Sequence, residues 1–493
     1  MPSPHVTRLD LYLNPDPRRV LLRPFIPSLI VKPSNPTSPS SRVHKIYKRV
    51  VGLTDQEAED KLRSILAEFT ERHHDLDEVF LQRYELVSPA LPMEPTLTQT
   101  QQKLLGAYFT HEYSLESAAL FNPSIVRDPN QNGVKEGCLR VIISVRATGE
   151  GHISSVGFRS GILCPKGSLT LEETTRFVVA PQALPAAYYQ KKIFLTKLSE
   201  LGGDPARASQ LLLPLAPNFR MDELERLLSE RESEHPDPLL QHQIEQARHL
   251  AQANYTVRFK EESSMSERVL FPFSPTESNG IEDARFVEFH DEDGTSTFYG
   301  TYTAYDGHQA FPQMLETKDF LTFRFSTLNG KAVANKGLAL FPRKINGRYA
   351  MLGRQDSENI HIMFSDDPYE WNESETLLEP KYPWEFVQLG NCGSPIETEK
   401  GWLVLTHGVG AMRKYAIGVA LLDLDDPTKV IGRSVQPLLG PQEDEREGYV
   451  PNVVYSCGAM VHDDIMILPY AISDSACRFA CVDIPGLLEE LTA

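Results

Sequence analysis

The chain is organised around two neighbouring segments: Asn279-Gly280-Ile281-Glu282-Asp283-Ala284-Arg285, and the β-rich run Tyr299-Gly300-Thr301-Tyr302-Thr303-Ala304-Tyr305-Asp306-Gly307. The first segment places two carboxylates beside an arginine, and the second ends in an Asp-Gly turn. A carboxylate beside a guanidinium is kept ionised and fixed in orientation, as acid–base chemistry on a polar substrate requires. A surface salt bridge before a strand has the same pattern. The remainder of the chain decides between these two interpretations.

Composition limits the partners of the chain. The hydrophobic fraction of 41% and the charged fraction of 24% are ordinary for a soluble globular protein. The net charge of −18 argues against nucleic acid or an anionic membrane as a partner, although a pocket can still be locally basic. The sequence has no apolar run of transmembrane length, and residues 1–17 lack the apolar core of a signal peptide. We therefore expect a cytoplasmic protein.

Six cysteines are present without CxxC spacing: Cys138, Cys164, Cys392, Cys457, Cys477 and Cys481. The last two are four residues apart and have no histidines at ligand spacing, which argues against a zinc site. Scattered cysteines in a long chain predict reduced, buried side chains. We expect free thiols and no metal centre.

Residues 1–103 are predicted to form an N-terminal arm and a helical extension. The proline-rich run 33–39 is typical of a loop or arm. Thr54 and Glu57 have the order of a capping box, and apolar residues within 62–84 recur at three- and four-residue spacings. These patterns predict one or two amphipathic helices.

Residues 104–493 have β character, interrupted by a helical insertion at about 186–254. Short apolar runs such as 139–146 are bounded by turn-forming residues, and strand, turn and strand recur on either side of Asn346-Gly347. Such units without intervening helices favour a β-propeller or a large sandwich. We favour the propeller because polar residues recur near strand ends, where they can converge on one pocket. The periodicity alone leaves the blade number open.

Charged residues at the ends of apolar strands are the candidates for a functional site. Burying such a group is costly unless it is paired or contacts a ligand. Five residues occupy this kind of position on successive β units: Arg146, Asp283, Arg354, His407 and Asp474. Each one singly is more often structural than functional. Their recurrence favours a shared polar site.

Several longer motifs match, in order, those of one enzyme family. They are Gly280–Arg285, Tyr302–Tyr305, Ala339–Gly347, Gly401–Leu403 with His407–Val409, Leu421–Pro427 and Gly448–Tyr455. These segments resemble glycoside hydrolase family 130, which comprises β-mannoside phosphorylases and β-1,2-mannosidases. The resemblance covers roughly residues 104–485, less the helical insertion. It implies an all-β, five-bladed β-propeller, here with an N-terminal helical extension and the helical insertion.

The resemblance implies that Asp283 is the single catalytic acid. In family phosphorylases the corresponding aspartate passes its proton to the glycosidic oxygen through a mannose hydroxyl, while phosphate attacks the anomeric carbon with inversion. Phosphate is already nucleophilic, so cations that bind and orient it suffice, whereas a hydrolase needs a second carboxylate to activate water. No role is assigned to Glu282.

The remaining site residues are expected to bind the sugar. The resemblance implies that Asn122, Arg146 and Asp474 hold the mannosyl unit, and Arg285 is also expected to orient the sugar. Tyr305 and Tyr415, near turns and charges, are the aromatic candidates for stacking on a pyranose face.

Phosphate is expected at Arg354, His407 and Gln388. The family's phosphorylases carry a lysine nineteen residues before the histidine, where this chain has Gln388, which can donate a hydrogen bond but supplies no charge. A further basic position is loosely matched by His152. No glutamate replaces the basic set, so the base of a mannosidase is not evident.

We therefore predict an inverting β-mannoside phosphorylase that forms mannose 1-phosphate from a small oligosaccharide or mannoside. No metal or organic cofactor is implied, and phosphate is the co-substrate. Two alternatives stay open: a β-1,2-mannosidase that uses water, and a carbohydrate-binding propeller without catalysis. The helical segments are candidates for homo-oligomer contacts.

Overall fold

The computed structural model describes residues 3–26, 42–184, 189–234 and 237–493. The chain divides into two compact units. The helical unit comprises Asp16–Leu115 with Thr175–Val179, and the β unit comprises Met1–Pro15, Glu116–Thr174 and Ala180–Ala493. The proline-rich run 33–39, predicted as a loop or arm, lies outside the described residues.

The helical unit packs helices around a small apolar core. Its described helices are Arg42–Val51, Asp55–Phe69, Leu76–Val87 and Gln99–Tyr108, and its strands Val20–Pro24 and Thr110–Ser114 pair antiparallel. The capping box predicted at the second helix is present: the Thr54 hydroxyl accepts from the Glu57 N–H, and the Glu57 carboxylate accepts from the Thr54 N–H. Val43, Leu104 and Phe109 are buried at the centre of the unit.

The β unit contains five antiparallel strand groups. The first has Ala119–Arg127, Leu139–Thr148, Ser154–Cys164 and Ser168–Leu171, and the second has Gly280–His290, Ser296–Tyr305, Ala310–Thr317 and Thr322–Thr327. The third has Lys336–Leu340, Tyr349–Arg354, Ile360–Ser365 and Glu375–Leu378. The fourth has Gln388–Asn391, Gly401–Val409, Tyr415–Leu422 and Val430–Arg433. The fifth has Val454–Tyr455, Ile465–Ile472, Ala476–Asp483 and the N-terminal strand Val6–Leu13.

Short strands extend these groups. The first group gains the strand Val269–Leu270, and the second gains Tyr255–Arg258 and Gln182–Ala183. The fourth group gains Ile396–Thr398, and the fifth gains Met460–His462. The Asn346-Gly347 turn forms as predicted, since both residues have positive φ, 51° and 77°, as a tight hairpin requires. A parallel bridge between Gly280 and Ser154 joins the first two groups into one sheet.

Backbone and side-chain hydrogen bonds connect each group to the next. The Phe286 N–H donates to Ser124 Oγ, and the Thr301 hydroxyl donates to the Leu338 carbonyl. The third group meets the fourth where the Leu389 N–H donates to the Glu358 carbonyl at 2.9 Å.

Two further contacts involve the fifth group. The Tyr415 N–H of the fourth group donates to the Asn452 carbonyl at 3.0 Å, immediately before the fifth group begins. The Cys457 N–H in turn donates to the Pro123 carbonyl of the first group at 2.8 Å. The ends of the β unit are therefore in contact. No sheet among the described residues closes on itself.

The helical insertion lies between the first and second strand groups. Its helices are Lys191–Glu200, Pro205–Leu211, Met221–Glu234 and Pro238–Gln252, and the short strands Tyr189–Gln190 and Asn218–Phe219 pair beside them. The insertion has its own apolar core, in which Leu198, Phe219 and Leu228 are fully buried.

The structure confirms a mainly β architecture with helices added to it; closure into a five-bladed propeller stays a prediction. The division at residues 103 and 104 also stays a prediction. The compact units have other bounds, because Val6–Leu13 pairs with Ala476–Asp483 of the last strand group and so belongs to the β unit.

The prediction that all six cysteines are reduced is wrong for one pair. Cys138 and Cys164 form a disulfide. They flank the ends of two paired strands, where Leu139 lies opposite Leu163, so the hairpin brings them together. Cys392, Cys457 and Cys477 are free and buried, and Cys481 is free and partly buried. Because disulfides are rare in the cytosol, this pair does not support the expected cytoplasmic location, which stays a prediction.

Within the part of the chain that the structure describes, no helix combines the length and apolar character needed to span a membrane. The same residues contain no group of three or more His, Cys, Asp or Glu side chains arranged to hold a metal ion.

The C-terminal helix Ile484–Thr492 is expected to stabilise the β unit. Leu488 is 2% exposed and packs in a core shared with the fourth and fifth strand groups. Leu488→Ala should lower the free energy of unfolding by about 2–5 kcal/mol, because it removes buried methyl groups and leaves a cavity. Urea titration measures the change, and Glu489→Ala on the exposed face of the same helix is the control. Equal, small effects for both variants would contradict this role.

Candidate active site

Asp283 lies at a bulge near the beginning of the strand Gly280–His290. The pairing with the strand Ser296–Tyr305 shifts register between Glu282 and Arg285, and Asp283 has a φ of 55°. A positive φ is uncommon for a residue other than glycine, and a bulge redirects a side chain from the regular alternation of a strand. The bulge therefore gives the Asp283 carboxylate a direction that regular pairing would not.

The first strand of the preceding strand group has the same feature at Asn122. Pairing of Ala119–Arg127 shifts register between Phe121 and Ser124, and Asn122 has a φ of 49°. Its Nδ2 donates to Asp283 Oδ1 at 2.7 Å. Two bulges, on the first strands of two successive strand groups, thus bring an amide and a carboxylate into contact.

Arg146 holds both carboxylates of the opening motif. Its Nη1 donates to Asp283 Oδ1 at 3.0 Å, its Nη2 donates to Glu282 Oε1 at 2.7 Å, and its Nε donates to Ser154 Oγ at 2.8 Å. Lys336 Nζ lies 2.6 Å from the other Glu282 oxygen. Glu282, to which the sequence assigned no role, therefore joins two cations and fixes Arg146 beside Asp283.

Arg285 connects the carboxylates to a second set of residues. It is 2% exposed, and it donates to the Asp283 carbonyl at 3.1 Å and to the Tyr455 hydroxyl at 2.6 Å. The Tyr455 ring lies against the His407 ring, with centroids 4.9 Å apart. Arg285 is thus a buried connecting residue, and its predicted contact with sugar stays a prediction.

The residues predicted to bind phosphate do lie together. Arg354 Nη1 is 3.3 Å from His407 Nε2, and Gln388 Nε2 is 3.4 Å from the same nitrogen. Lys336 is the register partner of Arg354, and directly opposite residues project from the same face of a sheet. The structure therefore adds Lys336, which contacts Glu282, to Arg354 and Gln388, which contact the imidazole.

The other predicted residues lie at different distances from this cluster. Tyr415 stacks on His407 with ring planes 10° apart and centroids separated by 6.0 Å. Tyr305 ends its strand, and its hydroxyl donates to the Gly307 carbonyl at 3.0 Å, not to a carboxylate of the cluster. His152, the loosely matched basic position, contacts the Tyr449 hydroxyl at 2.9 Å instead of Arg354 or His407.

Asp474 follows the strand Ile465–Ile472 in a turn with a φ of 50°. Burial, together with the charge of Asp283, raises the pKa of Asp474 to about 6, against the opposing effect of Arg146 and Arg413. Burial also raises the pKa of Asp283, but Arg146, Arg285 and Lys336 outweigh it and hold that pKa below its ordinary value. Asp283 is therefore ionised in the free protein, while Asp474 changes charge near pH 6.

His407 is a neutral group in this environment. Burial lowers the pKa of its imidazole well below the ordinary value, and Arg354 and Arg285 lower it further. Its predicted role in phosphate binding is then that of a hydrogen-bonding group, and the positive charge comes from Arg354 and Lys336.

Sequence reasoning missed Lys336, Tyr455 and the pairing role of Glu282. Lys336 begins an apolar strand, the position type that marked the other candidates, so the same criterion could have found it. Tyr455 ends the matched segment Gly448–Tyr455 but lies in a strand of two residues, too short for a recognisable pattern.

The buried Asp474 carboxyl predicts a pH-dependent stability difference. Because its folded-state pKa, about 6, exceeds the ordinary value of 3.8, its contribution to stability is full below pH 3.8 and is lost as the pH rises through 6. Asp474→Asn should therefore gain stability relative to wild type by about 2 kcal/mol between pH 4 and pH 7. Urea unfolding at both pH values measures it, with the exposed Asp464→Asn as the control. A difference that does not change with pH would contradict the assignment.

Comparison with known proteins gives the site a context. The model of glycoside hydrolase family 130, described as β-1,4-mannooligosaccharide phosphorylase, matches residues 242–492. A 1,2-β-oligomannan phosphorylase of Thermoanaerobacter sp. (strain X514) is 42% identical over 155 residues, 31% of this chain and 52% of that protein. A β-1,2-mannobiose phosphorylase of Listeria innocua is 34% identical over 230 residues, 45% of this chain and 63% of that protein. This chain thus spans about half to two thirds of the length of these relatives.

A solved structure of a Listeria innocua β-1,2-mannobiose phosphorylase in complex with β-1,2-mannobiose aligns with 77% of this chain and 93% of its own. The TM-score is 0.46 at 21% sequence identity. The family match spans just over half of the chain and includes Asp283, Arg354, His407 and Asp474. The chain belongs to glycoside hydrolase family 130.

Proposed function

We propose that this protein is a β-mannoside phosphorylase that transfers one mannosyl unit from a β-linked mannoside to inorganic phosphate. The products are mannose 1-phosphate and the shortened acceptor. The observation that carries the proposal is a partly buried cluster in which Asp283 lies beside Arg146, with an adjoining polar set formed by Arg354, Lys336, Gln388 and His407.

The basic set has the chemistry that a phosphate dianion requires. Arg354 can donate two parallel hydrogen bonds, Lys336 adds a point charge, and Gln388 and His407 add neutral donors. Bound phosphate would be oriented toward the anomeric carbon, which lowers the entropic cost of the attack. A phosphate oxygen forms the new bond to that carbon as the bond to the glycosidic oxygen breaks.

Asp283 is the proposed proton donor to the glycosidic oxygen, through a mannose hydroxyl as the family resemblance implies. The low pKa of Asp283 in the free protein opposes this role, because an acid must carry a proton. A phosphate dianion beside Arg354 and Lys336 would offset the cations that stabilise the carboxylate and would raise the pKa of Asp283. Phosphate binding would thus prepare the acid as well as supply the nucleophile.

Hydrolysis is the second candidate, and one observation favours it. Asp474 lies within electrostatic reach of Asp283, and a carboxyl with a pKa of about 6 suits a general base. Glu282 is less suited to that task because Arg146 and Lys336 occupy its two oxygens. We favour phosphorolysis because the polar set beside Asp283 is rich in anion-binding donors.

The five strand groups fit the proposed five-bladed propeller. Each antiparallel group contacts the next, the fifth contacts the first through Cys457 and Pro123, and the N-terminal strand completes the last group. The bulged residues Asn122 and Asp283 belong to the first strands of two such groups, which would line the axis of a propeller.

Phosphate dependence tests the proposed reaction. Consumption of a β-linked mannobiose should require phosphate. It should stop in a buffer that contains neither phosphate nor sulfate. Chromatography of the sugars measures it, with β-1,2- and β-1,4-linked mannobiose tested in parallel. Equal turnover with and without phosphate, giving only free mannose, would establish hydrolysis instead.

Asp283→Asn should lower kcat by about 10²–10⁴-fold, the usual contribution of a general acid, while the protein stays folded. Asp293→Asn is the matched control, because Asp293 lies in the exposed turn at the other end of the same strand pair. Steady-state kinetics at saturating phosphate measures both. Retention of more than half of the activity in Asp283→Asn would show that Asp283 is not the proton donor.

Gln388→Lys should strengthen phosphate binding, because it adds a positive charge beside Arg354 and His407. We expect the KM for phosphate to fall roughly fivefold, which corresponds to about 1 kcal/mol. Val387→Lys, which adds the same charge at an exposed neighbouring position, is the control. A KM that is unchanged in Gln388→Lys, or lowered equally in both variants, would contradict phosphate binding at Gln388.

A further inference from the structure

The ion pair of Lys336 with Glu282 joins the carboxylates of the cluster to its basic side. Lys336 Nζ lies 2.6 Å from Glu282 Oε2. The lysine side chain is 35% exposed, whereas the glutamate side chain is 11% exposed. An anion that enters from solvent can therefore reach the lysine while the pair is formed.

Lys336 also lies opposite Arg354. The two residues are register partners on the strands Lys336–Leu340 and Tyr349–Arg354, and directly opposite residues project from the same face of a sheet. Lysine carries a compact charge on a flexible four-carbon stem. The ammonium that pairs with Glu282 can therefore turn toward an anion bound at Arg354.

The two cations differ in their partners. Among the residues that the structure describes, no carboxylate pairs with Arg354. Its Nη1 lies 3.3 Å from His407 Nε2, and its Nε is buried without a hydrogen-bond partner. An anion at this site would thus meet one cation that lacks a carboxylate, Arg354, and one that already has a carboxylate, Lys336.

A phosphate dianion is a stronger partner for Lys336 than Glu282 is. It carries twice the charge of a carboxylate, and charge-assisted hydrogen bonds strengthen with the charge of the acceptor. Glu282 also accepts a hydrogen bond from Arg146 Nη2 at 2.7 Å. The glutamate would therefore keep one cation after the lysine leaves, and its charge would not be buried without compensation.

We propose that Glu282 sets the affinity of the protein for phosphate by competing with the anion for Lys336. The inference rests on the proposed function and names the residue that tunes binding of its co-substrate. In the free protein Glu282 pairs with Arg146 and Lys336; in the phosphate complex Lys336 pairs with the anion and Glu282 keeps Arg146. Separating the first pair offsets part of the binding free energy. The same competition favours release of mannose 1-phosphate, which carries the same phosphate group.

Glu282→Gln tests the competition, because it removes the charge that holds Lys336 and retains the size of the side chain. The Kd for inorganic phosphate should fall roughly fivefold, since Lys336 no longer has to leave a carboxylate. The value of kcat should fall as well, because Arg146 loses one of the charges that fix it beside Asp283. Isothermal titration and steady-state kinetics measure the two effects, with thermal unfolding recorded for every variant.

The matched control is Glu288→Gln, the same change farther along the same strand, which should leave both quantities at their wild-type values. General damage to the site would raise the Kd for phosphate, so a lower Kd together with a lower kcat is specific to the competition. If Glu282→Gln lowers the unfolding temperature, Glu282→Asp replaces it. The shorter side chain keeps the charge near Arg146 and reaches less far toward Lys336, so phosphate should bind about twofold more tightly than in the wild type.

The double variant distinguishes exchange of Lys336 from a general change in the electrostatic field. If Glu282 acts through the lysine, the gain from Glu282→Gln should disappear in a Lys336→Gln background, because the interaction is then absent. A gain of the same size in both backgrounds would overturn the proposal. So would phosphate affinity in Glu282→Gln that equals or falls below that of the wild type while the unfolding temperature is unchanged.

Binding and turnover separate this inference from the proposed reaction, since the titration with inorganic phosphate requires no sugar. Tighter phosphate binding in Glu282→Gln, lost in the double variant, without any phosphate-dependent turnover by the wild type would retain the competition and reject the reaction. Phosphate-dependent turnover by the wild type, with equal phosphate affinity in wild type and Glu282→Gln, would reject the competition and retain the reaction.

Discussion

The contact of Arg146 with Glu282 and Asp283 is the interaction on which the rest of the site depends. Two adjacent carboxylates cannot be buried as anions without compensating charge, and Arg146 reaches both while Lys336 and Arg285 supply the remainder. Removal of Arg146 would leave like charges facing each other in a buried place. These cations also keep Asp283 ionised in the free protein. In the proposed reaction, a bound phosphate dianion would raise the pKa of Asp283.

The backbone is as important to the site as the charges. Asn122, Asp283 and Asp474 all have φ near 50°, although none is a glycine. Such conformations cost free energy and persist where the surrounding sheet imposes them. The packing of the strand groups therefore offsets the free-energy cost of these backbone conformations. The bulges direct the polar side chains away from the regular alternation of the strands.

Part of this could be predicted from the sequence. Apolar strands ending in charges identified Arg146, Arg354 and His407, because strand alternation and the cost of burial leave a local signature. A local pattern does not predict contacts between distant segments. The ion pair of Lys336 with Glu282 and the disulfide of Cys138 with Cys164 both depend on which strands pair. The charge state of His407 was missed for a related reason, since the burial that keeps it neutral comes from several strands at once.

The stereochemistry of the product tests the central claim most directly. A ³¹P NMR experiment on a β-linked mannobiose with inorganic phosphate and the wild-type protein identifies any mannose 1-phosphate and its anomer. Attack by phosphate from the face opposite the leaving group predicts the α anomer, formed in equal amount to the released acceptor sugar. A spectrum that retains only inorganic phosphate while the mannobiose is consumed would contradict the account, as would formation of the β anomer.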